Sequence, residues 1–274
     1  MTAQARFGIV PAAGVGSRLS PYRAPKELIQ IGYRHVDGRL LPKAAIEHVL
    51  SAMREGGVGQ ALVVLSPAKA EVFRYLGSGR HLDLDLSYLC QEAPLGMPHA
   101  LDLGYPYLKG ETVCMGMPDT ILEPPDCFAR LFAFHEATGA DLSLGVFPTD
   151  QARSLAPVLV EPGSHRVLAV VDKPRVPPAD NTWGIAVWSG AFTELLHEHV
   201  AAGAPESGRE SVLSEVFAAA VAAGLRVHAL SFDRGRFHDI GTPSGVVRIR
   251  AALENAVAAA SMNSSFAATE GRRT

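Results

Sequence analysis

Residues 7–18 read Phe7-Gly8-Ile9-Val10-Pro11-Ala12-Ala13-Gly14-Val15-Gly16-Ser17-Arg18. The apolar run at the start of this stretch predicts a short strand. The glycines after it predict a loop whose backbone amides can close around an anion. Arg18, and Lys26 in the following segment Ala24-Pro25-Lys26-Glu27-Leu28, lie where they can meet phosphate charge. The stretch therefore predicts a strand that leads into a phosphate-binding loop.

The glycine pair of this loop does not fit two common nucleotide-binding motifs. Gly14 and Gly16 have Gly-x-Gly spacing, but Leu19 stands where a dinucleotide-binding loop has its third glycine, and no Gly-Lys-Ser/Thr follows. A glycine pair alone is often an ordinary turn. An anion-binding function therefore depends on Arg18 and Lys26.

The composition is that of a globular enzyme and argues against several other classes. A chain of 274 residues with 47% hydrophobic residues can fill the core of one large α/β domain or two small ones. A net charge of -3 gives no basic field for nucleic acid. The three cysteines lack metal-ligand spacing, and we expect all three to be small buried apolar groups. We also expect a cytoplasmic protein without a membrane-spanning segment, since no apolar run near residue 7 is long enough.

The first half of the chain alternates between strand and helix patterns. Ile46, Val49, Leu50 and Met53 have helical spacing, with Pro42 near the predicted start and glycines at 56 and 57 as the stop. This helix lies between the first strand and an apolar run over 61–65, which makes a βαβ unit and implies a parallel sheet. Residues 28–31 predict a short extended piece. Further strands are predicted over 84–89, 112–115 and 142–146, and helices after residue 66, over 99–108 and over 127–138.

The second half has a different pattern. Runs over 158–160 and 167–171 flank Glu161-Pro162-Gly163, which predicts a hairpin. Strands are predicted over 183–188 and 226–232, and helices over 191–202 and 210–223. Pro243 is placed to begin a last helix. We expect one domain over residues 1–260 and a disordered tail over 261–274.

Five motifs in order resemble the signature of the sugar-1-phosphate nucleotidyltransferases, the nucleoside diphosphate sugar pyrophosphorylases, and especially bacterial UTP-glucose-1-phosphate uridylyltransferases. They are the loop with Pro25-Lys26, then Gln91-Glu92-Ala93-Pro94-Leu95-Gly96, Pro118-Asp119-Thr120-Ile121, Asp172-Lys173-Pro174 and Asp239-Ile240-Gly241-Thr242-Pro243. The resemblance implies a Rossmann-like, mostly parallel α/β sheet flanked by helices, with a small acceptor-side β subregion. It divides the domain into a nucleotide side, about 1–150, and an acceptor side, about 151–245.

The resemblance also implies a reaction. In that family an oxygen of a sugar phosphate attacks the α-phosphorus of a nucleoside triphosphate, and pyrophosphate leaves. Such chemistry depends on positioning and charge neutralisation. By resemblance Arg18 neutralises the triphosphate and the leaving pyrophosphate, and Lys26 contacts the phosphate under attack.

Two carboxylates match the metal ligands of the family. Asp119 and Asp239 both follow strand-like runs, so they can converge on one edge of the sheet. Carboxylates with phosphate oxygens suit Mg²⁺. The resemblance assigns Asp119 and Asp239 to Mg²⁺, while an aspartate that only caps a turn is the alternative. We expect His238 to be structural, because Mg²⁺ prefers oxygen to imidazole.

The remaining site predictions are carried over by resemblance. Ala12, Ala13, Gly14 and Gly16 are expected to bind the nucleotide. Gln91 and Gly96 match positions that read the base, and a polar strand end followed by a turn is the alternative. Lys173 matches a lysine that meets the acceptor phosphate, and Gly184 matches a glycine near the acceptor.

Three positions depart from the family pattern, all on the acceptor side. Ala156-Pro157 stands where a Tyr-Gly pair is usual, Ala186 replaces a tyrosine, and Asp172 replaces a glutamate. The motifs for the triphosphate and the metal are intact, so the resemblance implies transfer from a pyrimidine triphosphate, UTP favoured over dTTP or CTP, to a sugar 1-phosphate. The departures put glucose 1-phosphate as that acceptor in question. The alternatives are a cytidylyltransferase acting on a non-sugar phosphorylated or phosphonate acceptor, and a non-catalytic nucleotide-sugar binding module. The oligomeric state stays open, a homo-oligomer included.

Overall fold

The computed structural model of the chain describes residues 5–16, 19, 24–36, 38–203 and 210–253. Three predictions concern residues outside these ranges. They are the role of Arg18, the end of the domain near residue 260, and the disordered tail over 261–274. In the described part of the chain no helix is long and apolar enough to cross a membrane.

The strands follow the predicted alternation and add elements that the sequence did not indicate. In chain order they are β1 (Arg6–Pro11), β2 (Gln30–Val36), β3 (Arg39–Ala44), β4 (Gln60–Leu65), β5 (Asp85–Cys90), β6 (Thr112–Gly116), β7 (Thr120–Glu123), β8 (Leu142–Pro148), β9 (Val158–Val160), β10 (Val167–Val170), β11 (Asn181–Trp188), β12 (Val227–Ser231) and β13 (Arg236–Asp239).

Seven of these strands form one central sheet in the order β12-β8-β11-β6-β1-β4-β5. β1 runs parallel to β4 and β6, β4 runs parallel to β5, and β8 runs parallel to β12. Only β11 is antiparallel to its neighbours within this sheet. The mostly parallel α/β sheet predicted from the βαβ pattern is therefore confirmed.

Helices cover both faces of the sheet. They are α1 (Ala45–Glu55), α2 (Ala70–Leu76), α3 (Met97–Asp102), α4 (Tyr105–Leu108), α5 (Cys127–Thr138), α6 (Gly190–Ala201), α7 (Leu213–Ala222) and α8 (residues 243–253). One core cluster packs α3, α6 and α7 on the sheet, and a second packs α1, α2 and α5 on the other face. The central strands are apolar on both faces because both faces are covered.

Helix α1 illustrates how the sequence sets an element. Ile46, Leu50 and Met53 are fully buried and form one stripe against the sheet. The carboxylate of Glu47 accepts a hydrogen bond of 2.7 Å from the backbone N–H of Ala44 and so caps the first turn. The helix ends at Gly56, as predicted. Pro42 does not lie at its start: it belongs to β3, which pairs with β2.

Three small antiparallel pairs surround the central sheet. β2 pairs with β3, β9 with β10, and β13 with β7. The pair β9–β10 confirms the hairpin that was predicted on either side of residues 161–163. β3 and β7 were not predicted, because β3 is exposed and contains a proline, and β7 has four residues.

Other predictions need correction at the ends of elements. The expected helix over 99–108 is two short helices, since the chain turns at Gly104 between α3 and α4. Leu28 lies in a 3-10 turn, Lys26–Leu28, and the strand begins at Gln30. Cys90 is exposed at the end of the edge strand β5, whereas Cys114 and Cys127 are buried as expected.

Candidate active site

The predicted nucleotide-side residues meet at one edge of the sheet. Since β1, β4, β5 and β6 run parallel, their carboxyl ends lie at the same edge. The loop with Ala12 follows β1, Gln91 follows β5, and Asp119 follows β6. The antiparallel β11 begins at this edge, because Asn181 pairs with Pro148 at the end of β8.

The glycine-containing loop is fixed at its base and open at its tip. The backbone N–H of Ala12 donates a 2.8 Å hydrogen bond to the carbonyl of Val64 in β4. Ala12 and Ala13 are buried, while Gly14 is exposed. Gly16 has a φ of 72°, a left-handed conformation that favours glycine, and the alkyl stem of Lys26 lies beside it. The loop and Lys26 therefore form one surface.

Lys26 and Asp119 make an ion pair across 93 residues of sequence. Lys26 Nζ donates to Asp119 Oδ2 at 2.6 Å, and the two side chains are 16% and 10% exposed. A pair this sheltered is screened little by solvent. The structure thus brings a predicted phosphate-binding cation and a predicted metal ligand into direct contact.

Asp239 lies next to Asp119, although it belongs to a different sheet. It ends β13, where it pairs with Thr120, and the N–H of Ile240 donates to the carbonyl of Asp119 at 3.0 Å. Asp239 Oδ1 accepts a 2.7 Å hydrogen bond from the N–H of Gly241. The expectation that both carboxylates lie at the edge of one sheet therefore needs correction: Asp239 belongs to the separate two-stranded sheet of β13 and β7.

The donor set at this point fits Mg²⁺ bound together with phosphate groups. Asp119 and Asp239 offer carboxylate oxygens, the ligands that Mg²⁺ prefers. Among the described residues, no group of three or more His, Cys, Asp or Glu side chains is arranged to hold a metal ion. A preformed cage is not needed, because Mg²⁺ is commonly held by one or two carboxylates plus substrate phosphates.

A buried ion pair behind the loop was missed at the sequence level. Lys69 Nζ donates to Glu27 Oε1 and to the carbonyl of Ala12, both at 2.7 Å. Lys69 is 6% exposed and Glu27 is fully buried. The pair joins the glycine-containing loop to the segment that carries Lys26. Nothing in the sequence around Lys69 marks it, since its partners lie 42 and 57 residues away.

Gln91 and Gly96 lie together at the end of β5. Gln91 is 9% exposed, and its amide nitrogen donates a 3.1 Å hydrogen bond to the carbonyl of Gly96. Gly96 has a φ of 99°, and a Cβ there would lie 2.2 Å from the carbonyl oxygen of Ser211. The close approach of the chain at Ser211 therefore requires glycine at this position without reference to a base.

On the acceptor side, Lys173 and Gly184 have different surroundings. Lys173 adopts a φ of 44°, its backbone N–H donates to the carbonyl of Leu155 at 2.8 Å, and its side chain is 66% exposed. Gly184 is buried in β11, where a Cβ would lie 2.9 Å from Phe237 and 3.0 Å from Phe147. Lys173 thus reaches solvent, whereas Gly184 lets two aromatic rings pack on the sheet.

Three of the residues that depart from the family pattern face the core, whereas the side chain of Asp172 is 26% exposed. Ala156 is 7% exposed, Ala186 is fully buried, and Pro157 is buried. A separate feature is a cleft of about 680 Å³, lined by residues within 148–155, by strand β13 and by the start of α8. Asp239 lies on its wall. His238 and Thr242 also line the cleft, and its remaining polar residues belong to none of the five motifs.

Four buried or partly buried titratable groups in the described part of the chain have shifted pKa values that keep them uncharged near neutral pH. Burial raises the pKa of the Cys127 thiol to about 12 and that of Cys114 well above its usual range, so neither is a thiolate near neutral pH. Burial lowers the pKa of His48 and of His135 to about 4. Both imidazoles are therefore neutral near pH 7.

Comparison with known proteins finds the same family from the sequence. A family model described as nucleotidyl transferase matches residues 7–256. A glucose-1-phosphate thymidylyltransferase of Mycolicibacterium smegmatis is 30% identical over 175 residues, 62% of this chain and 56% of that protein. A mannose-1-phosphate guanylyltransferase of Mycobacterium tuberculosis is 27% identical over 256 residues, 91% of this chain and 65% of that protein. The chain thus spans less than two thirds of the length of these relatives.

Solved structures share the fold. A putative glucose-1-phosphate thymidylyltransferase from Bacillus anthracis superposes with a TM-score of 0.77 at 17% identity, covering 90% of this chain and 94% of that one. A UDP-glucose pyrophosphorylase complexed with UDP-glucose gives 0.76 at 19% identity, covering 92% and 99%. At such identities the likeness concerns the fold alone.

Proposed function

Because the chain belongs to the nucleotidyl transferase family, we propose that it joins a nucleoside triphosphate to a sugar 1-phosphate and releases pyrophosphate. The observation that carries the proposal is the meeting of the loop after β1, Lys26, Asp119 and Asp239 at one edge of the sheet. This edge combines backbone amides, a sheltered cation and two carboxylates, which is what a triphosphate and its counter-ion require.

The proposed reaction needs no covalent intermediate on the protein. An oxygen of the acceptor phosphate forms a bond to the α-phosphorus while the bond from that phosphorus to the pyrophosphate oxygen breaks, and pyrophosphate leaves with its electron pair. Lys26 contacts the α-phosphate, where Asp119 holds the ammonium group at 2.6 Å. Arg18, outside the described residues, keeps its role at the leaving pyrophosphate as a proposal from the motif.

We assign Asp119 and Asp239 to Mg²⁺. The ion would neutralise negative charge on the triphosphate during transfer. The carboxylates and the adjacent backbone support this assignment, since the hydrogen bond from Gly241 to Asp239 Oδ1 fixes the direction of that side chain. Asp119 would hold the ion together with Asp239, while its Oδ2 accepts from Lys26 Nζ at 2.6 Å.

The nucleotide is assigned to residues 1–150. Ala12, Ala13, Gly14 and Gly16 are proposed to hold the phosphates, and Gln91 with Gly96 to lie at the base. We favour UTP on the motif pattern. dTTP and GTP are the other candidate triphosphates, since the relatives include thymidylyltransferases and a guanylyltransferase.

The acceptor is assigned to residues 151–245 of the same domain, with Lys173 at its phosphate and Gly184 beneath it. The exposed ammonium group of Lys173 supports the first role. A specific observation favours a second candidate, a cytidylyltransferase with a non-sugar phosphorylated or phosphonate acceptor. Ala156, Pro157 and Ala186 are buried and offer no side-chain hydroxyl to a sugar.

A screen of triphosphates against acceptors tests the function. Purified protein is incubated with Mg²⁺, each of UTP, dTTP, CTP and GTP, and each of a panel of sugar 1-phosphates and non-sugar phosphorylated compounds, and pyrophosphate is measured. We expect release with one triphosphate and one acceptor class. Asp119→Asn should abolish it, while Asp83→Asn, an exposed aspartate in a turn, should leave it unchanged.

Two outcomes would oppose the proposal. No pyrophosphate from any pair, together with tight binding of a nucleotide sugar, would favour a non-catalytic binding module. Full activity of Asp119→Asn would remove Asp119 from the metal site.

A further inference from the structure

The cleft of about 680 Å³ beside Asp239 has the size of a small-molecule site. Its lining includes Gln151 and Leu155 in the segment after β8, Arg236 on β13 and Arg248 on α8. The backbone hydrogen bond from Lys173 to Leu155 connects this lining to the proposed acceptor lysine. The lining of the cleft thus includes both Asp239 and the residue to which Lys173 is hydrogen-bonded.

Arg248 on α8 is prepared to bind an anion in this cleft. In the amide orientation that satisfies both groups, the side-chain oxygen of Gln151 accepts from Arg248 Nη1 at 2.9 Å and from Nη2 at 3.3 Å. This partner is a neutral amide, so it orients the guanidinium without neutralising its charge. A guanidinium has five N–H donors, and three remain after these two contacts. They include a donor pair that matches a carboxylate or a phosphoryl group.

Arg236 adds a second cation on β13. Its Nη1 lies 3.9 Å from Glu123 Oε2, and both side chains are largely exposed, at 65% and 43%. Such a contact is weak and leaves most of the positive field in place. Asp150 and Asp239 are the acidic residues that line the cleft, and Asp239 is assigned to the metal under the proposed function.

We propose that the acceptor carries, besides its reacting phosphate, a second anionic group that binds Arg248 in this cleft. The inference rests on the proposed function, because it places the reacting phosphate near Asp239 and Lys173. Since Gln151 orients the guanidinium before the ligand arrives, little side-chain freedom is lost on binding. The group is a carboxylate or a phosphoryl group, both of which fit the free donors of Arg248.

Binding of three probes tests this inference without turnover. Glucose 1-phosphate, glucuronic acid 1-phosphate and glucose 1,6-bisphosphate are titrated into the protein by calorimetry, with Mg²⁺ and α,β-methylene UTP present. We expect one of the two probes that carry a second anionic group to bind about 10- to 100-fold more tightly than glucose 1-phosphate. This is the gain typical of a charge-assisted hydrogen bond. Tighter binding of glucuronic acid 1-phosphate identifies the second group as a carboxylate, and tighter binding of glucose 1,6-bisphosphate identifies it as a phosphoryl group.

Arg248→Ala should remove this preference and leave the affinity for glucose 1-phosphate unchanged. The matched control is Arg250→Ala, because Arg250 lies on the same helix and its Nη2 contacts the carbonyl of Gln30 at 3.4 Å. This control should keep the preference. Gln151→Ala should weaken it in part, since the guanidinium loses its orienting partner.

Equal affinity for all three probes, or a preference that survives Arg248→Ala, would overturn the inference. Pyrophosphate release from glucose 1-phosphate would in that case leave the proposed function standing. The converse result, an Arg248-dependent preference with no pyrophosphate from any pair, would leave the anion site standing and count against the proposed function.

Discussion

The buried pair of Lys69 and Glu27 gives a prediction whose size follows from the structure. Lys69→Met removes a cation that is 6% exposed and donates to both Glu27 and Ala12. Glu27 then keeps a buried charge, and its other oxygen, Oε2, already has no hydrogen-bond partner among the described residues. Breaking a buried pair in this way costs about 3–5 kcal/mol in the free energy of unfolding.

The double variant Lys69→Met/Glu27→Met should be more stable than Lys69→Met alone. Replacing both partners leaves no uncompensated charge, and only the carbonyl of Ala12 loses its donor, at a cost of about 1–3 kcal/mol. Urea unfolding, followed by the fluorescence of the buried Trp183 and Trp188, measures these differences in the free energy of unfolding. The dependence of that free energy on urea concentration should be the same for all variants.

Lys109→Met is the matched control. Lys109 Nζ lies 3.3 Å from Glu194 Oε1, but the side chains are 61% and 42% exposed. An exposed pair contributes less than about 1 kcal/mol. The reasoning fails if Lys69→Met costs as little as this control, or if the double variant loses the sum of the two single losses.

Three further predictions concern other parts of the fold. Unfolding experiments at pH 7, 5.5 and 4.5 should show that the free energy of unfolding decreases as the pH is lowered. The pKa of His48 and of His135 is about 4 in the folded protein and about 6.5 when unfolded. The stability that these groups contribute above pH 6.5 is therefore lost as the pH falls towards 4, by up to about 3 kcal/mol per group. A free energy of unfolding that does not change over this range would contradict this. Gly184→Ala should destabilise by about 1–3 kcal/mol because its Cβ would lie 2.9 Å from an aromatic ring, whereas Gly59→Ala, with open space around it, should be nearly neutral. In the native protein a thiol reagent should label Cys90 alone, since the other two cysteines are buried; labelling of all three would refute this.

Much of the fold was accessible from the sequence because the apolar periodicity is strong. Helix α5 has the predicted bounds, and the parallel order follows from helices that connect buried strands. The exposed strand β3 and the short β7 carry no such periodicity. Their pairing depends on segments that fold back over them, as β13 does on β7.

The residues of the candidate site also differ in whether the sequence alone indicates them. Lys26, Asp119 and Asp239 belong to motifs with recognisable order, and the structure brings them to one edge of the sheet. Lys69 and Arg248 belong to no motif, and each acquires its place through a partner distant in sequence. Long-range contacts of this kind depend on packing that a single sequence does not display.

The central claim is that the chain transfers a nucleotidyl group at the α-phosphorus. Parallel reactions with triphosphate labelled at the α- or the γ-phosphate test it most directly, once an accepted pair is known. The account predicts that the α label appears in the product joined to the acceptor and the γ label in pyrophosphate. Transfer of the γ label to the acceptor, or its release as inorganic phosphate by the protein alone, would contradict it.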